Sequence, residues 1–119
     1  MHKIQDLKIW HKALDLCVSI YKITSHFPTE ERFGLTSQIR RSCVSISSNI
    51  AEGAGRNTKG EFVHFLGIAN GSAYELQTQL IIAKSLHLCG TESDEVLDKI
   101  DEIQKMCYKL QQALKGKNK

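Results

Sequence analysis

Between Leu35 and Arg56 the chain repeats apolar side chains at the period of an α-helix and runs a polar stripe alongside them. At about 100° per residue, Leu35, Ile39, Cys43, Ile46 and Ile50 share one narrow face, the stripe a helix buries against partners. Gln38, Arg41, Ser45, Asn49, Glu52 and Arg56 follow at spacings of 3 and 4, roughly a third of a turn away. They belong at the core margin, where each polar group needs a hydrogen-bond partner. Glu52 is placed to pair with Arg41 or Arg56. Gly53 and Gly55 are expected to end the helix, as glycine does at C-terminal caps.

The rest of the chain reads the same way. Asp6 is the expected N-cap of a first helix over residues 7–25, which carries two apolar stripes. Leu7, Trp10, Leu14, Cys17 and Tyr21 form one, and Ile9, Ala13, Leu16, Ile20 and Ile23 the other. One core needs only one of them, so the second is a candidate subunit interface. Pro28 stops this helix, and Glu30 to Phe33 fit a helical turn of their own. A second helix spans residues 35–54. Thr58-Lys59-Gly60-Glu61 is a capping box that starts a third helix over 59–88. Its inner face is Phe62, Phe65, Ala69, Ala73, Leu76, Leu80 and Ala83, and its interior Gly67 and Gly71 are expected where another helix comes close. Gly90 is the stop signal, and Thr91 or Ser93 caps a fourth helix over 93–115. Val96, Ile100, Ile103, Cys107, Leu110 and Leu114 form the seam of that helix, and the tail Lys115–Lys119 is expected to fray. Four helices on short loops imply a single all-α domain, an up-down antiparallel four-helix bundle over residues 1–119.

The stretch Gln38–Arg56, with Asp6-Leu7-Lys8-Ile9-Trp10 before it and Ile68 to Leu76 after it, resembles the small bacterial family named for intervening sequences of 23S rRNA genes, also called the S23 ribosomal protein family. The family motif R-x3-SI-x2-NIAEG corresponds to Arg41, Ser45, Ile46 and Asn49 to Gly53. Ser47 stands where many members have proline, which removes any expectation of a proline bend. The resemblance implies a four-helix bundle and a homo-oligomer, with the pentameric ring of a related retroelement accessory protein as the pattern. That relative binds reverse transcriptase and nucleic acid through basic surfaces.

Catalytic chemistry finds little support in the residues. Glu61-x-x-His64 is the one Glu-x-x-His pair, whereas a di-iron bundle needs two with further inward glutamates. Glu61 is better used in its capping box, so neither metal nor cofactor is expected. Ser45 and Ser48 lack a nearby histidine in sequence, and Gly53-Ala54-Gly55-Arg56 lacks the phosphate-loop lysine. The chain reads as non-enzymatic. Its four cysteines show no C-x-x-C spacing and are expected as reduced, mostly buried thiols. The absence of a signal-like segment and of a membrane-length apolar run points to the cytoplasm.

Binding is left. The net charge is +3, and residues 1–60 hold nine Lys and Arg against five Asp and Glu. Lys8, Lys12, Arg40, Arg41, Arg56 and Lys59 are the candidate phosphate contacts for structured RNA or a ribonucleoprotein. Trp10 is the aromatic residue among them on which a base would stack. Gln38, Ser45, Asn49, Glu52 and Gly53 are assigned to holding packing in register. The alternative is a protein-interaction scaffold or accessory subunit, for example of a reverse transcriptase, with incidental positive charge.

Overall fold

The computed structural model describes residues 2–116, and among them there are four long helices and no strand. They are α1 (Lys8–Thr24), α2 (Leu35–Ala54), α3 (Lys59–Ser85) and α4 (Glu92–Gly116), with 3-10 turns at Ile4–Asp6 and Thr29–Glu31. Each packs against its neighbours in the cycle α1, α2, α3, α4 and back to α1, so α1 and α3 lie on opposite corners. The bundle measures 49 × 21 × 20 Å.

The apolar stripes account for the core. Ile39, Cys43, Ile46 and Ile50 of α2 are fully buried, with Leu35 half-buried at the helix start. On α1 the Ile9–Ile23 stripe is buried, while the second stripe divides. Leu7, Trp10 and Cys17 pack partly against the core, and Leu14, Val18 and Tyr21 are exposed. Cys43 and Cys107 are buried, Cys17 and Cys89 half-buried, and all four thiols are free.

Several boundaries differ from expectation for identifiable reasons. Asp6 belongs to the first 3-10 turn, and Leu7 occupies the N-cap without a side-chain bond. The third helix stops at Ser85, not Leu88, because His87 takes a left-handed φ of 60°. The N–H of His87 then bonds Lys84 O at 3.0 Å and that of Leu88 bonds Ala83 O at 3.0 Å, closing a Schellman cap without glycine. Gly90 is therefore not the stop. Its N–H is held by the Glu92 carboxylate at 2.9 Å and its carbonyl by the Ser93 hydroxyl at 2.7 Å. Lys115 and Gly116 remain helical, and the rest of the expected frayed tail lies outside the described residues. Half of the capping box is formed: Thr58 Oγ1 accepts from Glu61 N at 3.1 Å, while the Glu61 carboxylate takes the Thr58 hydroxyl at 3.1 Å in place of the backbone N–H.

The largest correction concerns glycine. Gly53 is buried inside α2 with an ordinary negative φ, so it does not terminate the helix. A β-carbon there would lie 2.8 Å from Phe65 Cβ and 2.9 Å from Phe62 Cδ1. Its absence lets α3 pack directly on the α2 backbone. Gly71, expected at a close approach, has nothing within 4 Å. We expect Gly53→Ala to destabilise the fold by about 1–3 kcal/mol through overpacking, and Gly71→Ala in the isolated chain to stabilise it by up to about 1 kcal/mol. Urea unfolding of the two variants checks both signs, and equal midpoints for wild type and Gly53→Ala would contradict the account.

Candidate nucleic-acid interface

The polar stripe of α2 runs along its junction with α3. Ser45 Oγ lies 2.8 Å from Ser72 Oγ of α3. The Asn49 amide donates to Ser45 O at 2.8 Å and to Ser45 Oγ at 3.0 Å. Ser45 and Asn49 are thereby spent on packing. Glu52 pairs with Arg56 at 2.6 Å, not with Arg41. Arg56 also approaches Glu61 at 3.7 Å and stands over the Phe65 ring, 4.9 Å from its centroid. Gln38 is exposed at the near end of the stripe.

The six basic candidates separate. Lys8, Arg56 and Lys59 lie at the end of the bundle where the N-terminus meets α2, marked by the bond from His2 N to Ala54 O at 2.9 Å. Lys12 turns the other way and pairs with Glu102 of α4 at 3.2 Å. Arg40 and Arg41 are 15 or more residues before Arg56, roughly 20 Å along the helix. Arg56 and Lys12 have carboxylate partners, whereas Lys8, Arg41 and Lys59 are exposed and make no ion pair among the described residues.

Arg40 and Arg41 instead join residues that sequence reasoning passed over. The guanidinium of Arg40 stacks on Tyr21 at 4.4 Å, and its Nε donates to Thr24 Oγ1 at 2.8 Å, which in turn donates to Ile20 O at 2.8 Å. Arg32 stands 5.3 Å over the ring of Phe33, a residue that is 88% exposed. Tyr21, Arg32, Phe33, Arg40 and Arg41, with Thr36, Ser37, Val44 and Ser45, line an open groove of about 620 Å³ along the outer face of α2. No acidic residue lines it. The Thr36 hydroxyl in its wall is buried without a partner among the described residues. The available clue was Arg32-Phe33, a cation beside an aromatic residue in a turn outside every apolar stripe. Trp10 is half-buried against the core and lines no part of this groove.

The family model for 23S rRNA-intervening sequence proteins matches residues 5–109. The chain belongs to that family. A crystal structure of a protein of unknown function from the S23 ribosomal protein family of Bacteroides thetaiotaomicron VPI-5482 has a TM-score of 0.80 and 24% sequence identity, covering 87% of this chain and 95% of that one. This likeness shows the fold. No curated protein matches the chain. Among the described residues no helix is long and apolar enough to cross a membrane.

The Ser45–Ser72 bond gives the family motif a measurable structural part. A double-mutant cycle with Ser45→Ala and Ser72→Ala should return a coupling of about 0.5–1.5 kcal/mol in unfolding free energy. A coupling of zero would remove that bond from the account of the motif.

Proposed function

We propose that this protein is a non-enzymatic homo-oligomer that binds structured RNA, or a ribonucleoprotein, at the groove along the outer face of α2. The supporting observation is a groove with three arginines, an exposed phenylalanine and no carboxylate. Arg32 and Arg41 contact phosphates, and an unpaired base of a loop or bulge stacks on the open face of Phe33, as single-stranded segments of folded RNA do. Arg40, held by Tyr21 and Thr24, fixes the groove wall and adds charge. Lys8 and Lys59 at the far end extend the contact where the RNA is long enough, while Arg56 and Lys12 contribute less because carboxylates neutralise them.

Fluorescence anisotropy with a hairpin RNA at two salt concentrations tests this. Micromolar or tighter binding is expected near physiological salt. Arg32→Ala with Arg41→Ala should weaken it at least tenfold and lower the salt slope by about 2. Phe33→Ala should weaken binding to the looped hairpin more than to a blunt duplex. Wild-type affinity in all three variants would reject the groove as the RNA site. Loss of all binding by physiological salt would favour a protein partner instead.

Self-association rests on the outward faces. Exposed apolar side chains remain on Leu14 and Val18 of α1 and on Ile68, Ile81 and Ile82 of α3, opposite corners of the bundle. Two different faces are what a head-to-tail ring requires, and a pentamer is the expected closure. Light scattering should return a mass several times that of the chain, and Ile82→Glu should reduce it to one chain with helicity intact. A wild-type protein that runs as a single chain would end this part of the proposal.

A further inference from the structure

Cys17 of α1 and Cys43 of α2 meet across the seam between the two helices, with their sulfurs 3.0 Å apart. The Cys43 thiol donates to the Cys17 sulfur. Cys43 is fully buried, while Cys17 is half-buried and opens to a crevice lined by Val18, Tyr21, Lys22 and Ser25. The crevice borders the outward ridge at Val18 and the arginine groove at Tyr21, but neither of those contacts uses a thiol. Cys89 and Cys107 form no such pair.

We propose that Cys17 and Cys43 are a peroxide-responsive dithiol site that closes to a disulfide bridging α1 and α2. The bond requires the sulfurs to move together by roughly 1 Å, to the disulfide length of about 2.05 Å. One thiol is accessible and the other is buried behind it, the arrangement of an attacking cysteine with its resolving partner. The hydrogen bond from Cys43, opposed in part by burial and aided by Ser47, holds the Cys17 thiol down at about 7. The shift favours the thiolate, the nucleophilic form. The same bond and burial push the Cys43 thiol up, so it keeps its proton until it resolves the intermediate.

The chemistry balances with hydrogen peroxide as oxidant. The Cys17 thiolate attacks one peroxide oxygen, the O–O bond breaks, and hydroxide leaves to take up a proton as water. Cys17 is then a sulfenic acid. The Cys43 sulfur attacks the Cys17 sulfur, the S–O bond breaks, and the departing hydroxyl takes the Cys43 proton as a second water. The two thiols lose two electrons and the peroxide gains them. The product ties α1 to α2 beside the Arg40–Tyr21 contact and is undone by a dithiol reductant.

The reduced, purified protein treated with a few equivalents of hydrogen peroxide tests the proposal, with remaining thiols alkylated after unfolding and the products read by intact-mass and peptide mass spectrometry. The expected product has lost two hydrogens, carries alkylated Cys89 and Cys107, and yields one peptide pair joined through Cys17 and Cys43. Dithiothreitol should reverse it, and the oxidised chain should melt about 10 °C higher, since the bridge joins residues 26 positions apart and so restricts the unfolded chain. Cys43→Ser should stop at one added oxygen on Cys17, trappable with dimedone. Should that variant fail to fold, Cys17→Ser at the half-exposed position should abolish both the oxygen addition and the bridge. Four alkylatable thiols after peroxide, a bridge through Cys89 or Cys107, or a bridge between two chains would each overturn the proposal.

Discussion

The contact of Gly53 with Phe62 and Phe65 sets the distance and register of α2 against α3, and much of the bundle follows from it. A β-carbon at this position would fall under 3 Å from both aromatic side chains, so the helices touch backbone to ring. Eight residues back along α2 and seven on along α3 from Phe65, roughly 12 and 10 Å, Ser45 meets Ser72. The same register brings Arg56 over Phe65 and His2 onto Phe62, with ring centroids 5.0 Å apart. The N-terminus is thereby seated at the end of the α2–α3 pair, which fixes where α1 begins.

The helices themselves were legible because burial in a bundle follows the 3.6-residue period, and a short chain with one proline gives few alternatives. The motif Ser45, Asn49 and Gly53 was legible as structural, but its mechanism was not. Glycine near a helix end suggests a cap, and only the position of Phe62 and Phe65 on another helix reveals a close approach. His87 shows the converse. Gly90 reads as the stop signal, yet the helix ends at a left-handed histidine, where the Schellman bonds and the packed Leu88 compensate for the strained φ. Boundaries decided by such tertiary balances leave no trace in local spacing.

Charge shows a similar division. Counting Lys and Arg along the sequence ranks Arg56 with Arg41, since both belong to one stripe. In three dimensions the Glu52 and Glu61 carboxylates gather around Arg56, and Glu102 takes Lys12. Exposed pairs of this kind contribute only about 0–1 kcal/mol each to stability, so their larger consequence is electrostatic: they remove two cations from the surface potential. The arginines left to act are those before and inside α2, where the groove wall holds hydroxyls and aromatic rings but no acid. Arg32, Thr36 and Arg40, like Phe33, Ser37, Arg41 and Val44, recur at spacings of 3 and 4, but the turn before α2 hid that continuity. Their meeting depends on that turn packing against α2.

The two seams of α1 are built from different chemistry. Toward α4 it is held by ion pairs, Lys12 with Glu102 and Lys99 with Asp15, the latter lysine also donating to Ser19. Toward α2 it is held by a guanidinium on an aromatic ring, a hydroxyl and two thiols. Ion pairs tolerate small displacements, because Coulomb attraction changes slowly with distance. Thiol chemistry does not, since a bond forms only within a narrow range of sulfur positions. The seam toward α2 is thus the one whose geometry must be kept, and it is also the seam that shapes the arginine groove. By fixing α2 on α3, Gly53 fixes one wall of that seam, and Cys17 and Tyr21 of α1 pack against it.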